Sequence, residues 1–275
     1  MTDVAAGASA AVAPERRPVT LITGASSGIG TALAHEFASH GHELVLVARR
    51  EQALASVADA IAAKGQARPT VLRSDVARVD APKAIEDDLA RLGMEPNIVV
   101  NNAGFGLTGP AARLDRAAQL AMIDLNVRAL TALSLAFLPS IERRKGGILN
   151  VASIAGFLPG PGMAVYYATK AYVISFSEAL HQELKGKGVR VTALCPGPVP
   201  SEFQARAGMQ VDAMLRLSMI SPERVAAEAY RGLQRGRRVV VPGMAIKAAP
   251  LLARLLPRAV LLKLMRVPRA KEIGD

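Results

Sequence analysis

Two side chains with the chemistry to exchange a proton lie four residues apart in this chain. Tyr166 and Lys170 fall within a helical pattern, where a spacing of four places both side chains on one face, within reach of a common ligand. A free tyrosine, with a pKa of about 10, is a poor acid or base at neutral pH. A nearby ammonium group favours the phenolate and brings that pKa toward the working range. The pair therefore predicts acid–base chemistry at Tyr166, whereas the adjacent Tyr167 points about 100° away and is interpreted as a packing residue.

A glycine-rich segment near the start of the chain has the form of a phosphate-binding loop. Between an apolar strand and a helical pattern it runs Thr23-Gly24-Ala25-Ser26-Ser27-Gly28-Ile29-Gly30. Glycine permits a tight turn and close approach of the backbone to a pyrophosphate, which then lies on the unpaired N–H groups of the helix N-terminus. A purely structural turn is the alternative, but a loop between a buried strand and a helix favours dinucleotide binding.

The glycine spacing T-G-x-x-x-G-x-G resembles that of the short-chain dehydrogenase/reductase family, and further motifs follow in that family's order. Asp75 follows the third strand, and Ser153 follows the fifth. The family's Y-x-x-x-K motif is matched by Tyr166 and Lys170, thirteen residues after that serine. The resemblance covers residues 19–203 and implies an active site of the Asn-Ser-Tyr-Lys type. The remaining matches are Asn101-Asn102-Ala103-Gly104, Leu125-Asn126-Val127 and Pro196-Gly197-Pro198-Val199-Pro200-Ser201.

The resemblance implies a role for each residue of this catalytic set. Tyr166 delivers a proton to a carbonyl oxygen during reduction. Lys170 bonds the nicotinamide ribose and, together with the positive nicotinamide of an oxidised cofactor, lowers the pKa of Tyr166. Ser153 hydrogen-bonds the developing oxyanion, and Asn126 holds a water that links Lys170 to bulk solvent. The hydride belongs to the chemistry of the cofactor. The residues predicted to bind that cofactor are Gly24, Ser26, Ser27, Gly28, Ile29, Gly30, Arg49, Asp75, Val76, Asn102, Ala103, Gly104, Tyr166, Lys170, Pro196, Gly197, Val199 and Ser201.

The end of the second strand distinguishes the two nicotinamide cofactors. A carboxylate there would bind the ribose 2′-hydroxyl of NAD(H) and repel the 2′-phosphate of NADP(H). The strand instead ends Val47-Ala48-Arg49-Arg50, and an arginine fork binds phosphate through charge-assisted hydrogen bonds. Two solvated arginines at the start of a surface helix are the alternative, and Ser27 stands where many NADP-specific relatives carry a second basic residue. We predict NADP(H) in preference to NAD(H), with Arg49 at the 2′-phosphate.

The elements that must position these residues alternate between short runs of Val, Leu and Ile and longer helical patterns, which is typical of βαβ units. The apolar runs predict strands at Val19–Thr23, Glu43–Ala48, Thr70–Ser74, Ile98–Asn101, Gly147–Ala152, Val189–Leu194 and Arg238–Val241. The helical patterns span residues 28–40, 51–64, 80–92, 116–138, 165–186 and 222–235. This order predicts an α/β, Rossmann-type, doubly wound sheet of seven parallel strands with helices on both faces. A single catalytic domain is expected over residues 19–242.

Composition and charge exclude several classes of protein. The hydrophobic fraction of 51% excludes wholesale disorder, the single Cys195 excludes a disulfide scaffold, and four scattered histidines give no metal-ligand spacing. Residues 231–275 hold eleven basic residues and two acids, so most of the net charge of +11 belongs to the tail. That tail has no aromatic residue for base stacking, which argues against nucleic acid. We expect a cytoplasmic, metal-free protein with a disordered leader at residues 1–18.

The residues from 243 to 275 form a basic, amphipathic C-terminal extension. Charged residues divide its apolar run, so it is too short to span a membrane, and Pro250 and Pro257 favour two short helices. One hypothesis is that the extension binds to anionic lipid at the membrane surface, so that the protein is peripheral to the membrane. The alternative packs it on its own subunit or on a partner.

Two apolar segments, residues 156–163 and 203–220, follow strand ends where the substrate of this fold lies. Their apolar, methionine-rich composition favours a small hydrophobic carbonyl or alcohol as substrate, although packing on the core or on a partner is the alternative. The family commonly forms dimers and tetramers, so the resemblance implies a homodimer or homotetramer. The alternative function is a catalytically idle dinucleotide-binding sensor or scaffold that acts through the basic tail. The intact set of Ser153, Tyr166 and Lys170 argues against that alternative, since a sensor has no use for the acid.

Overall fold

A sheet of seven parallel strands forms the centre of the computed structural model, which describes residues 16–208, 219–243 and 257–264. The strands are β1 (Arg17–Thr23), β2 (Leu44–Ala48), β3 (Thr70–Arg73), β4 (Met94–Asn101), β5 (Gly147–Val151), β6 (Arg190–Leu194) and β7 (Val239–Val240). Their order across the sheet is β3-β2-β1-β4-β5-β6-β7, and all neighbouring pairs are parallel. The chain order reverses between β1 and β4, which confirms the predicted doubly wound α/β class.

Helices cover both faces of this sheet. They are α1 (Gly28–Ser39), α2 (Glu51–Ala62), α3 (Ala81–Arg91), α4 (Arg116–Ile123), α5 (Leu130–Arg143), α6 (Ala164–Leu184), α7 (Glu202–Arg206), α8 (Pro222–Gln234) and α9 (Arg258–Leu264). Buried side chains of α1, α2 and α8 form one core cluster with the sheet, and those of α3, α5 and α6 form another on the opposite face. The two clusters use alternate strand residues, since Ile22 belongs to the first and Leu21 to the second. This double burial explains why the strands are apolar along their whole length.

The predicted helix at 116–138 differs from the structure in its end and in its centre. Helical structure continues through α5 to Arg143, although Pro139 lies inside it, and the segment Asp124–Ala129 between α4 and α5 is a π-helix. The predicted helix ends at residue 138, directly before Pro139, a residue type that removes a helical hydrogen bond and disfavours a helix interior. Here the side chain of the next residue, Ser140, donates a hydrogen bond to the Pro96 carbonyl at 2.9 Å and ties this part of the helix to β4.

By length and composition alone, the continuous helical stretch Arg116–Arg143 is long and apolar enough to cross a membrane. Its residues Leu133, Phe137 and Ile141 are at most 3% exposed and pack against the sheet. Burial in the core accounts for these apolar residues, whereas Leu120 and Leu135 of the same stretch are exposed.

The two ends of the chain are described only in part. β1 begins at Arg17, two residues before its predicted start, while residues 1–15 of the predicted leader lie outside the described residues. Within the C-terminal extension, the described residues are 243 and 257–264, where α9 follows Pro257. Pro250 and the first of the two predicted helices lie outside the described residues. Residues 209–218 of the second apolar segment also lie outside the described residues.

Candidate active site

A cavity of about 580 Å³ lies along the carboxyl ends of the strands, where the sheet order reverses. Most residues selected from the sequence line this cavity, although they come from seven separate segments of the chain. They are Gly24, Ser26, Ser27, Gly28, Ile29, Arg49, Asp75, Val76, Asn102, Ala103, Gly104, Ser153, Tyr166, Lys170, Pro196, Gly197, Val199 and Ser201. Gly30 and Asn126 are not among its lining residues.

The glycine loop at one end of the cavity is held in a conformation that only glycine adopts easily. Gly24 and Gly28 have φ angles of 64° and 56°, in the left-handed region. A Cβ atom on Gly24 would lie 2.9 Å from the Cα of Ala103, so the loop also packs tightly on the end of β4. The side-chain amide of Asn102 donates hydrogen bonds to the carbonyls of Thr23 and Gly24 at 3.0 and 3.1 Å. These contacts fix the loop at the N-terminus of α1.

Gly30, which the sequence predicts to contact the cofactor, does not line the cavity in the structure and packs against the glycine loop. A Cβ atom at this position would lie 2.3 Å from the Gly24 carbonyl oxygen and 2.5 Å from Nδ2 of Asn102. These contacts are between the first turn of α1 and the loop itself. Gly30 therefore allows α1 to pack directly against the glycine loop. This packing supports the loop residues that line the cavity, although Gly30 itself does not line it.

Tyr166, Ser153 and Lys170 meet at the other end of the cavity. The Tyr166 side chain, on the first turn of α6, is hydrogen-bonded to Ser153, which follows β5. Ser153 also accepts a hydrogen bond from the backbone N–H of Ala155 at 3.1 Å and so caps the 3₁₀ turn Ile154–Phe157. One helical turn after Tyr166, the Nζ atom of Lys170 donates to the Val151 carbonyl at 2.8 Å. The predicted catalytic tyrosine, serine and lysine are thus brought together by β5 and α6.

Burial shifts the pKa values of both titratable groups toward the neutral form. It raises the pKa of Tyr166 to about 12, against the opposing effect of the hydrogen bond from Ser153. It lowers the pKa of Lys170 to about 8. The predicted lowering of the tyrosine pKa combined Lys170 with the positive nicotinamide of an oxidised cofactor, and it stays a prediction for the complex; in the protein alone the pKa of Tyr166 lies above its usual value. Nζ lies 5.8 Å from the centre of the Tyr166 ring, and loss of water around both groups outweighs their interaction.

Asn126 does not line the cavity, and its side chain forms hydrogen bonds with the loop after β4 and with α6. It is 1% exposed and lies in the π-helical segment. Its Nδ2 donates to the Phe105 carbonyl at 2.9 Å and to Oγ1 of Thr169 at 3.1 Å, and its Oδ1 accepts from the Phe105 N–H at 3.1 Å. The side chain thus ties the loop after β4 to α6, beside Lys170. These contacts support a positioning role for Asn126, and its predicted role in holding a water stays a prediction.

The two arginines that follow β2 differ in their contacts. Arg49 lines the cavity, is exposed, and makes no hydrogen bond or ion pair with any described residue. Arg50 also lines the cavity, but its guanidinium is paired with Glu202 and with Ser26. Sequence reasoning missed the contact with Glu202, because 152 residues separate the two side chains and no local pattern links them.

The wall beside Tyr166 is apolar, and it combines residues of the two predicted apolar segments with Phe105 and Tyr167, which the sequence did not assign to the substrate site. Phe203 lies with its ring centre 5.4 Å from that of Tyr166. A Cβ atom on Gly106 would lie 2.8 Å from Phe203, 3.2 Å from Tyr166 and 3.4 Å from Met163, so these side chains converge on one glycine. We define the apolar wall as the lining residues Phe105, Leu158, Met163, Tyr167 and Phe203.

Tyr167 both packs and lines the cavity. Its ring occupies the space next to Gly160, where a Cβ atom would lie 2.3 Å from the tyrosine Cγ, as expected for a packing residue. The ring also makes an edge contact with Tyr166, at 6.2 Å between centres. The signal for this wall in the sequence was the pair of apolar segments 156–163 and 203–220, and the structure places Met163 of the first and Phe203 of the second beside the candidate acid.

Comparison with known proteins gives matches in both sequence and structure. A sequence model of the protein family described as short chain dehydrogenase matches residues 18–212 of this chain. Sulfoacetaldehyde reductase 2 of Chromohalobacter salexigens is 39% identical over 188 residues, which are 67% of this chain and 74% of that protein. A solved short-chain dehydrogenase from Sphingobium yanoikuyae in complex with NADPH is 32% identical, with a TM-score of 0.75 over 93% of this chain and 99% of that one. A short chain dehydrogenase/reductase from Burkholderia phymatum in complex with NAD is 27% identical, with a TM-score of 0.77 over 94% of this chain and 99% of that one.

Proposed function

Because this chain belongs to the short-chain dehydrogenase family of oxidoreductases, we propose that it reduces a hydrophobic ketone or aldehyde with NADP(H), or oxidises the corresponding alcohol. The observation that carries this proposal is the composition of one cavity. Ser153, Tyr166 and Lys170 lie at one end, next to the apolar wall, and the glycine loop and Arg49 lie at the other. Acid, hydrogen-bond donor, apolar surface and phosphate-binding groups are thus within one site.

The cavity fits a dinucleotide in its size and in its donors. Its volume of about 580 Å³ falls within the range of roughly 300–1,000 Å³ that is usual for ligand sites. The positive φ angles of Gly24 and Gly28 leave the backbone of the loop open at the N-terminus of α1, which favours an anionic group such as a pyrophosphate. Related structures contain NADPH or NAD, so the fold by itself does not choose between them. The choice of NADP(H) rests on Ala48 in place of an acid and on the Arg49 guanidinium, which has no hydrogen-bond or ion-pair partner among the described residues.

The residues around Tyr166 account for the handling of the proton. When bound, the cofactor supplies or accepts a hydride at the carbonyl carbon. Tyr166, protonated at neutral pH because its pKa is about 12, donates its proton to the carbonyl oxygen. Ser153 donates a hydrogen bond to the same oxygen as negative charge develops there. The Lys170 ammonium group stabilises the phenolate that remains, and Asn126 keeps α6 in register with the loop after β4.

The apolar wall supports a hydrophobic substrate. An anionic substrate would need a cation close to Tyr166. Among the described lining residues, the cations are Arg49 and Arg50, which follow β2, and Lys170, whose Nζ is bonded to Val151. The wall itself offers aromatic, leucine and methionine side chains, which bury apolar surface and adapt to its shape.

A graded series of aldehydes and ketones tests the substrate class. We expect kcat/KM with NADPH to rise by up to about fourfold for each added methylene, since a buried CH₂ contributes about 0.8 kcal/mol. Leu158→Gln in the apolar wall should flatten this dependence, whereas Leu92→Gln, at an exposed position after α3, should leave it unchanged. Fastest turnover of the shortest or of anionic aldehydes would overturn the hydrophobic assignment.

The pKa of Lys170 predicts how reduction depends on pH. Because burial lowers this pKa to about 8 while Tyr166 stays protonated to about 12, the rate should fall with loss of the ammonium group. We expect kcat/KM for carbonyl reduction to decrease above pH 8, reaching about one tenth of its plateau one unit higher. Lys170→Arg keeps the positive charge to high pH, so its profile should be flat, at a lower rate. A decrease at the same pH in Lys170→Arg would contradict the assignment to Lys170.

We propose further that the chain forms a homodimer or homotetramer in the cytoplasm. Exposed apolar side chains on α4, α5 and α6, namely Leu120, Leu135 and Tyr172, support self-association.

The single thiol is fully buried, and burial raises the pKa of Cys195 to about 12, which agrees with a structural role. Lipid contact by the C-terminal extension stays a hypothesis.

A further inference from the structure

An exposed ion pair connects two segments of the cavity rim that are far apart in the chain. Arg50, which precedes α2, donates to both carboxylate oxygens of Glu202, the first residue of α7, at 3.3 and 3.0 Å. The same guanidinium donates to the backbone carbonyl and to Oγ of Ser26, both at 3.3 Å. All three residues line the cavity. A group that enters the cavity between β2 and the glycine loop therefore meets this ion pair.

The position of Glu202 does not depend on Arg50 alone. The residue before it, Ser201, packs against the glycine loop, since a Cβ atom on Gly28 would lie 3.1 Å from its Cβ. Ser201 and Gln204 also form a reciprocal capping box at the start of α7. These contacts hold the backbone of Glu202 beside the loop. Removing the carboxylate charge should therefore leave α7 in place.

Arg50 has two competing anionic partners if the proposed cofactor is correct. The side chains of Arg50 and Glu202 are 44% and 47% exposed, and exposed ion pairs of this kind are weak. A 2′-phosphate carries more charge and matches the guanidinium fork. Arg49 is already available to it, and it can gain Arg50 only by displacing Glu202. NAD(H), which has no 2′-phosphate, makes no such demand.

We propose that Glu202 sets the discrimination between NADP(H) and NAD(H) by competing with the 2′-phosphate for Arg50. Glu202 neutralises one of the two arginines and repels a phosphate at the same place. It therefore weakens NADP(H) binding selectively and brings the affinities of the two cofactors closer together. This role rests on the proposed function, in which Arg49 binds the 2′-phosphate.

Direct titration of the full chain with NADPH and with NADH, by calorimetry, tests this role. We expect Glu202→Gln to bind NADPH about two- to fivefold more tightly, the range that one exposed charge interaction supplies, with little change for NADH. In an Arg50→Gln background, the same substitution should lose most of this gain. Glu142→Gln is the matched control, since it breaks another exposed ion pair, with Lys187 at 3.0 Å, and should change neither affinity.

The outcomes separate the role of Glu202 from the cofactor assignment. If Glu202→Gln leaves NADPH affinity unchanged, weakens it, or tightens both cofactors equally, the proposed competition is wrong. Arg49→Gln tests the assignment itself and should weaken NADPH alone. If the wild-type chain prefers NADH, or if Arg49→Gln leaves NADPH affinity unchanged, the NADP(H) proposal fails. The change in the ratio of the two affinities on Glu202→Gln decides the role of Glu202 in either case.

Discussion

Tyr166→Phe should lower kcat/KM for carbonyl reduction by roughly 10²- to 10⁴-fold, the contribution of a positioned acid. The substitution removes only the hydroxyl group that is hydrogen-bonded to Ser153. The ring keeps its place beside Phe203, 5.4 Å away between centres, so the fold should keep its stability. NADPH binding should be nearly unchanged, because the glycine loop and Arg49 are untouched. Steady-state kinetics together with a calorimetric titration of NADPH measure the two effects separately.

Tyr167→Phe is the matched control for this experiment. It removes the same atom from the neighbouring residue, which lines the same cavity. We expect its rate to stay close to that of the wild-type chain, since the Tyr167 hydroxyl has no role in the proposed proton transfer. Comparable losses in the two variants would mean that Tyr166 is not the specific acid.

Gly30→Ala should destabilise the fold and weaken NADPH binding together. The added Cβ would lie 2.3 Å from the Gly24 carbonyl oxygen, a backbone atom that cannot rotate away. Overpacking of this kind costs about 1–3 kcal/mol, or a decrease in Tm of roughly 2–4 °C for each kcal/mol in a protein of this size. The loop must move to relieve the contact, so its N–H groups lose their alignment with the cofactor phosphates. Thermal unfolding with and without NADPH measures both effects.

Gly186→Ala supplies the control for Gly30→Ala. A Cβ atom at Gly186 would meet no atom of the described residues within 4 Å, and this glycine is not among those with positive φ. Its Tm and its NADPH affinity should match those of the wild-type chain. If Gly30→Ala behaved in the same way, the close packing of α1 on the glycine loop would not be the reason for glycine at that position.

The parts of the site that could be predicted from the sequence are those fixed by strand ends. In a parallel sheet the carboxyl ends of neighbouring strands meet at one edge. The glycine loop after β1, Asn102 after β4 and Ser153 after β5 therefore had to lie close together. Tyr166 and Lys170 were predictable as a pair because helical periodicity places residues four apart on one face.

The parts that could not be predicted depend on contacts between distant segments. Arg50 and Glu202 are 152 residues apart, and the sequence contains no register that would pair them. Asn126 is buried between the loop after β4 and α6 because it lies in a π-helical segment, and local sequence propensity does not indicate such a segment. The pKa of Lys170 depends on how deeply α6 is buried, and this follows only from the packing of the whole sheet.

The most direct test of the account is transfer of deuterium from NADPH to a substrate. The full chain is incubated with NADPH that is deuterated at the transferable position and with a long-chain ketone, and the alcohol is analysed by mass spectrometry. We predict deuterium at the carbinol carbon with the wild-type chain and almost no labelled alcohol with Tyr166→Phe. If the wild-type chain binds NADPH but forms no labelled alcohol from any carbonyl of the graded series, the account is contradicted and the cavity is that of a dinucleotide sensor.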